Sequence, residues 1–346
     1  MLDMDEAPAD TLLAAEGSGA PARRGPGWRW TLPALAMTGF FAVVAFGFLR
    51  AGRDPAFLAK VQAALHGTAG TFWQRFSSEV VLNPWFYAVF AGVLLLEHLV
   101  PANDEQPLLS RGLRQDAVWI FLKTLAHSSL LPVYVLFLQH EYDRHLGFLT
   151  IHAVEGWPWL AKVFLGVLTG DFLFWFTHWV RHKVPSLWYF HAVHHSQKEL
   201  NFFTEYRVHP IDDLFAFTIG IVPFFMLQNG FTTILAVVWV RHWHTRIYHS
   251  NIRTNFGWLR YLLVTPQSHR VHHSVLPEHH DRNFGLTFSL WDHLFGTQHR
   301  KYDEYPETGI NDLDFPCEQD RFALAGLSNL LGQLLYPFRS LVRSVE

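Results

Sequence analysis

Residues 178–195 read HWVRHKVPSLWYFHAVHH and set five histidines within eighteen positions, with Pro185 between the first two and the last three. His178 and His182 are four apart, so on a helix they lie one turn above each other and converge on one point. His191, His194 and His195 form H-x-x-H-H, whose i, i+3 and i+4 positions share a face. The same spacing returns as HRVHH, giving His269, His272 and His273, and His249 stands between the two boxes in YHSNI. Sixteen of the 22 histidines fall between 178 and 299. Imidazolium groups at this density repel one another, and neutral rings each need a partner once buried. A bound cation meets both demands, because each ring can turn a lone pair toward it while its other N–H reaches an outer acceptor. Nine rings exceed the four protein ligands of a single zinc-like ion, so the pattern calls for two metals. Imidazole-rich sites suit Zn, Cu, Fe or Ni, and spacing alone does not choose among them. The scattered His66, His98, His127, His140, His145 and His152 read instead as interfacial or hydrogen-bonded residues.

Composition sets the surroundings. The chain has 346 residues, half of them hydrophobic and 16% aromatic, and only 16% charged, against about 25% in soluble domains. That balance points to a membrane protein. With 27 Lys+Arg against 30 Asp+Glu and no polybasic tract, nucleic acid is excluded as a partner. The single Cys317 excludes an internal disulfide and a cysteine-held cluster, so any metal is bound by nitrogen or oxygen.

The residues divide into four segments. Residues 1–27, rich in Ala, Gly, Pro and acid, predict a disordered tail. Residues 28–156 predict three transmembrane helices and their loops: Trp30–Phe48, which carries no charge for 19 residues, then apolar runs at 80–100 and 116–139. Residues 157–300 hold a fourth span at 157–180, an apolar hairpin at 211–240 turning at Asn229-Gly230, and the histidine boxes. Residues 301–346 read as a C-terminal tail. The expected fold is an all-α membrane bundle with a cytoplasmic helical cap, because no stretch alternates with period two. The Lys/Arg distribution places the N-terminus, 101–115 and everything from 181 onward in the cytoplasm, with a metal site on that side.

Five motifs in order carry a family resemblance: DFLFWFTHWVRHKVPSLWYFHAVHHS at 171–196, EYRVHP at 205–210, HSNI at 249–252, VTPQSHRVHHS at 264–274, and DRNFG with WDHLFGT between 281 and 297. Over about 160–300 the chain resembles the integral-membrane fatty acid hydroxylase / sterol desaturase superfamily. The resemblance carries metal binding onto His178, His182, His191, His194, His195, His249, His269, His272 and His273. Some members have a further histidine where this chain has Thr245, so His209, or else His244, is expected as a tenth ligand or an outer partner. Asp281, Asn283 and Asp292 are candidate acceptors for ring N–H groups. What the resemblance implies is a non-haem di-iron centre that uses dioxygen to hydroxylate or desaturate an unactivated C–H bond of a lipid, with no catalytic residue beyond the ligands.

An aromatic wall of Phe172, Phe174, Trp175, Phe176, Trp188, Tyr189 and Phe190 is expected to exclude water from a lipid entering sideways. Electrons are expected from a separate ferredoxin or cytochrome with its reductase, docking near Arg241, Arg246, Arg253 and Arg260. Two other classes use the same residue type. A membrane zinc hydrolase is weakened by the absence of H-E-x-x-H. A haem-b electron carrier is weakened because the clustered rings flank the ends of the spans rather than their middles.

Overall fold

A computed structural model describes residues 28–66, 84–228, 231–316 and 323–345. The predicted tail at 1–27, the start of the run at 80–100, and the Asn229-Gly230 turn lie outside the described residues. Thirteen α-helices follow one another among the described residues: α1 (Trp28–Ala51), α2 (Pro55–His66), α3 (Pro84–Leu99), α4 (Leu113–Ser129), α5 (Leu131–Glu141), α6 (Trp159–Lys183), α7 (Pro185–His195), α8 (Pro210–Gly220), α9 (Val222–Met226), α10 (Phe231–His249), α11 (Pro266–His272), α12 (Leu290–Phe295) and α13 (Ala323–Val345). The described residues contain no strand, only isolated bridges such as Leu263 with Phe288 and Ser274 with Thr308. The all-α expectation holds.

The span expectation is met in part. Among the described residues α6 alone is long and apolar enough to cross a bilayer, by length and composition. The run expected at 116–139 is split between α4 and α5, and Pro132 in the first turn of α5 explains the break, since a proline cannot continue the hydrogen-bond ladder of the helix before it. The segments Leu113–His127 and Leu131–Leu149 together pass as a span bent by 44°. The hairpin at 211–240 also differs: its first arm breaks between α8 and α9 before Pro223, and its second runs past Arg241 to His249 as α10. Part of the expected C-terminal tail forms α13, whose Leu330 and Tyr336 are buried with Trp119, Ala192 and Val193.

The opening stretch folds as its residues dictate. Val184 is extended, as the residue before a proline prefers, and closes α6; Pro185 then begins α7 at the position where its missing N–H costs nothing. The chain doubles back, and His178 and His182 on α6 come to face His191 and His195 on α7. Close approach of α6 to α8 and α9 depends on two glycines. A Cβ on Gly170 would stand 2.8 Å from Phe224 Cε2, and one on Gly220 would collide with the Phe174 ring. α11 is short but firmly started by a capping box, in which the Thr265 hydroxyl accepts from Ser268 N while the Ser268 hydroxyl accepts from Thr265 N.

Candidate metal centre

The nine clustered histidines separate in space into two groups. His178, His182, His191, His195 and His272 have ring nitrogens within 4.8 Å of one another, and so do His194, His249, His269 and His273. All are buried except His182, which is half-buried. The Nε2 atoms of His178 and His191 are 3.0 Å apart. In the second group His269 Nε2 lies 2.8 Å from His249 Nε2 and 3.0 Å from His273 Nε2, and His249 Nε2 lies 3.3 Å from His194 Nε2. Two nitrogens bound to one ion at ~2.1 Å stand roughly 3.0–3.4 Å apart, so three of these four separations match shared coordination and the fourth, between His269 and His249, is slightly shorter. The His195 and His273 rings stack at 4.3 Å and join the two groups.

Outer partners fix which nitrogen faces inward. Nδ1–H of His178 donates to Phe284 O at 2.8 Å, that of His272 to Arg282 O at 2.8 Å, that of His194 to Arg207 O at 3.2 Å and that of His249 to Thr245 O at 2.7 Å. His191 Nδ1–H donates to the buried Asp212 carboxylate at 2.9 Å, which also pairs with Arg181 at 2.8 Å. Each of these five rings therefore turns its Nε2 lone pair toward its group. Burial, followed by repulsion from neighbouring imidazoles and, for His191 and His194, from Arg181, drives the His191, His194 and His195 rings well below the ordinary histidine value. Burial likewise brings His272 down to about 4. The rings are neutral at pH 7, the state a metal ligand requires.

The donor set fits a cation. Five cage nitrogens, His182 Nε2, His195 Nε2, His272 Nε2, His269 Nδ1 and His273 Nδ1, are buried with no hydrogen-bond partner. At about 1–3 kcal/mol each, such atoms together cost an amount comparable to the whole stability of a domain. A metal bound to the inward-facing Nε2 atoms removes most of that cost. All nine donors are imidazoles, a set suited to iron, zinc, copper or nickel.

The remaining candidates lie elsewhere. His209 is the N-cap of α8, its Nδ1 accepting from Ile211 N and its Nε2–H donating to Leu334 O at 3.2 Å, so neither nitrogen is free for a metal. His244 donates from Nε2 to Val264 O. The expected tenth ligand is thus not found among the described residues. Asp281 pairs with Lys183 at the surface, and Asn283 bonds Ser268 O and His299 N. Asp292 accepts from Phe284 N, Gly285 N, Trp175 Nε1 and Thr297 Oγ1, holding the Phe284 carbonyl under His178 without touching a cage ring. The acceptors sequence reasoning missed are Asp212 and four backbone carbonyls. The only available signal was the position of Asp212 just after the EYRVHP motif; carbonyl acceptors leave none.

The expected aromatic wall also divides. Trp188 packs on His182 and His195, Phe174 lines a neighbouring cavity, and Trp175 stacks on Phe295. Phe284, fully buried, packs on His178, His182 and His272. The four arginines do not form one docking face, since only Arg253 is exposed, and its guanidinium is spent on the Pro101 and Ala102 carbonyls. A third cluster unforeseen from sequence joins His279 and His299, both within hydrogen-bond reach of Glu304, whose other oxygen takes Lys301.

The fatty acid hydroxylase family profile matches residues 163–297, which include every one of the nine rings. This segment resembles a fatty acid hydroxylase domain. The chain is 34% identical over 145 residues to the ornithine lipid hydroxylase OlsE of Rhizobium tropici, covering 42% of this chain and 44% of that one. It is 31% identical to human alkylglycerol monooxygenase over 41% of this chain and 30% of that one, and 29% identical to human cholesterol 25-hydroxylase over 57% and 67% respectively. The match thus spans less than half the length of the first two relatives. No solved structure matches it.

Proposed function

We propose that the chain is an integral-membrane, multi-pass lipid hydroxylase, with a di-iron centre on the cytoplasmic side that uses dioxygen on an unactivated C–H bond. The observation that carries this reading is the division of nine buried imidazoles into two converging groups inside a segment shared with lipid hydroxylases. His178, His182, His191, His195 and His272 hold one ion, and His194, His249, His269 and His273 the other. Bound iron supplies the redox chemistry that an unactivated C–H bond demands and that no side chain provides. The chain's own residues do the rest. Asp212 and the carbonyls of Phe284, Arg282, Arg207 and Thr245 hold five rings in the correct tautomer. Phe284 and Trp188 keep water from the rings they cover. Val43, Phe46, Leu49, Trp85 and Leu95 expose large apolar faces on α1 and α3, as lipid contact requires. A separate ferredoxin or cytochrome with its reductase delivers electrons.

The test is metal analysis and an absorption spectrum of the purified protein, together with mass spectrometry of lipid extracts from cells with and without the gene. About two irons per chain, no Soret band, and a lipid gaining one oxygen atom are expected. Zinc retained with full activity after iron is withheld overturns the oxygenase reading.

A further inference from the structure

Beside the cage lies a cavity of about 450 Å³, within the range of small-molecule sites. Its walls include Val163, Val167, Phe174, Phe224, Val237 and Val240. It is built on the same two helices as the metal site: Phe174 is one turn before His178 on α6, and His244 is five residues before His249 on α10. Four polar side chains break the apolar lining, and they are not equivalent; the Thr287 side chain is spent on Asp171. Asp171 is fully used, accepting from Thr287 N, Phe288 N and Trp291 Nε1. His244 donates from Nε2 to Val264 O, which leaves Nδ1 as a lone-pair acceptor with no partner. Arg241 stacks its guanidinium 4.0 Å over the Phe174 ring and has no side-chain hydrogen bond or ion pair among the described residues.

A guanidinium carries five N–H donors in a planar fork, and an aromatic face beneath it satisfies none of them as a hydrogen bond does. Such a fork at the edge of an otherwise hydrocarbon-like cavity matches one class of ligand, an amphiphile with an acidic group. Carboxylate and phosphate are the groups the fork accepts bidentately. We infer that this cavity binds the lipid substrate and that Arg241 selects lipids bearing a carboxylate or phosphate. The inference rests on the proposed lipid chemistry for the identity of the ligand as substrate. The acyl chain lies against Val163, Val167, Val237 and Val240, and the acidic group meets Arg241, one cavity wall away from the cage. His244 Nδ1, three residues on, takes a hydroxyl if the lipid carries one nearby.

Equilibrium binding to the full chain in detergent tests this without turnover, so failure of the oxidation reading does not affect the outcome. The probes are palmitate, methyl palmitate, lysophosphatidate and inorganic phosphate. Palmitate and lysophosphatidate are expected to bind at least about tenfold more tightly than methyl palmitate, the scale of one charge-assisted pair. Inorganic phosphate should not displace them. Arg241→Gln should reduce palmitate to the affinity of its ester, Arg241→Lys should keep most of the preference, and Val167→Trp should abolish binding of all three lipids while metal content stays at the wild-type level. Equal affinity of the wild-type protein for palmitate and methyl palmitate overturns the proposal even if the Gln variant fails to fold. Displacement by inorganic phosphate alone shows a free-anion site and overturns the lipid assignment.

Discussion

The two halves of the cage differ in number and in support. The five-ring group has three rings anchored from outside, one of them by the Asp212 carboxylate, itself buried against Arg181. The four-ring group has two rings anchored, both by backbone carbonyls, while the Nδ1 atoms of His269 and His273 meet no acceptor. A carboxylate behind an imidazole raises its basicity and locks its orientation more firmly than a carbonyl does. The two ions are therefore expected to differ in affinity, with the more labile one held by His194, His249, His269 and His273.

The largest expected effect follows from ligand number. Removing one of four ligands leaves three, fewer than a closed site needs, whereas removing one of five leaves four. His269→Ala should lose the second ion entirely, taking metal content from about two to about one per chain and turnover below detection. His272→Ala should abolish turnover too, yet retain metal closer to two. Elemental analysis of both variants compares them directly, and equal metal loss would show that the groups are equivalent.

Next in size is the anchor. Asp212→Asn keeps the shape but weakens the acceptor behind His191, and loss of such an outer partner typically costs 10–100-fold in metal affinity. It also leaves the buried Arg181 without its charge partner, at a stability cost of about 3 kcal/mol. Release of metal to a chelator should be biphasic in the wild type, with the slow phase assigned to the five-ring group. In the variant the slow phase should accelerate and the fast phase stay put; the reverse would move the carboxylate's influence to the other group.

The ligands were legible in sequence because their chemistry depends on spacing: i, i+3 and i+4 histidines face one way on any helix, whatever surrounds it. Ligand count also led to the expectation of more than one group of rings, although which ring joins which group was not foreseen, since His194 and His195 are neighbours in sequence and belong to different groups. That partition depends on where α10 and α11 approach α7. The spans were less legible. An apolar run such as 116–139 has the length of a span, but Pro132 breaks it, and hydropathy averages over a single proline. The outer partners were nearly invisible, because four of five are backbone carbonyls. Asp292, singled out as a ring acceptor, instead pins the turn that delivers one of those carbonyls.

A smaller effect concerns pH. Burial holds the His272 ring at about 4 and drives His191, His194 and His195 well below the ordinary value, against about 6.5 in an unfolded chain. Between those values the unfolded state binds protons that the folded state refuses, so stability falls as pH falls below about 6.5, by up to about 1.4 kcal/mol per pH unit per ring. Above 6.5 both states are neutral and these rings contribute no slope. Thermal unfolding of metal-stripped protein from pH 8 to pH 4 should therefore be flat and then decline. A melting temperature that rises on acidification would mean the rings are charged in the folded chain.

The smallest expected effect decides whether the five-to-four comparison stands at all. A tenth ligand from His209 would make the groups equal in number, and its place in the EYRVHP motif favours that role. Both of its nitrogens are instead committed, one capping α8 at Ile211 N and the other joining α13 at Leu334 O. His209→Ala should then cost about 1 kcal/mol of stability, the usual value of a lost N-cap, and leave metal content and chelator kinetics as in the wild type. If the fast phase of metal release grew faster in this variant, His209 would belong to the four-ring group in solution, and the asymmetry would reduce to the Asp212 anchor alone.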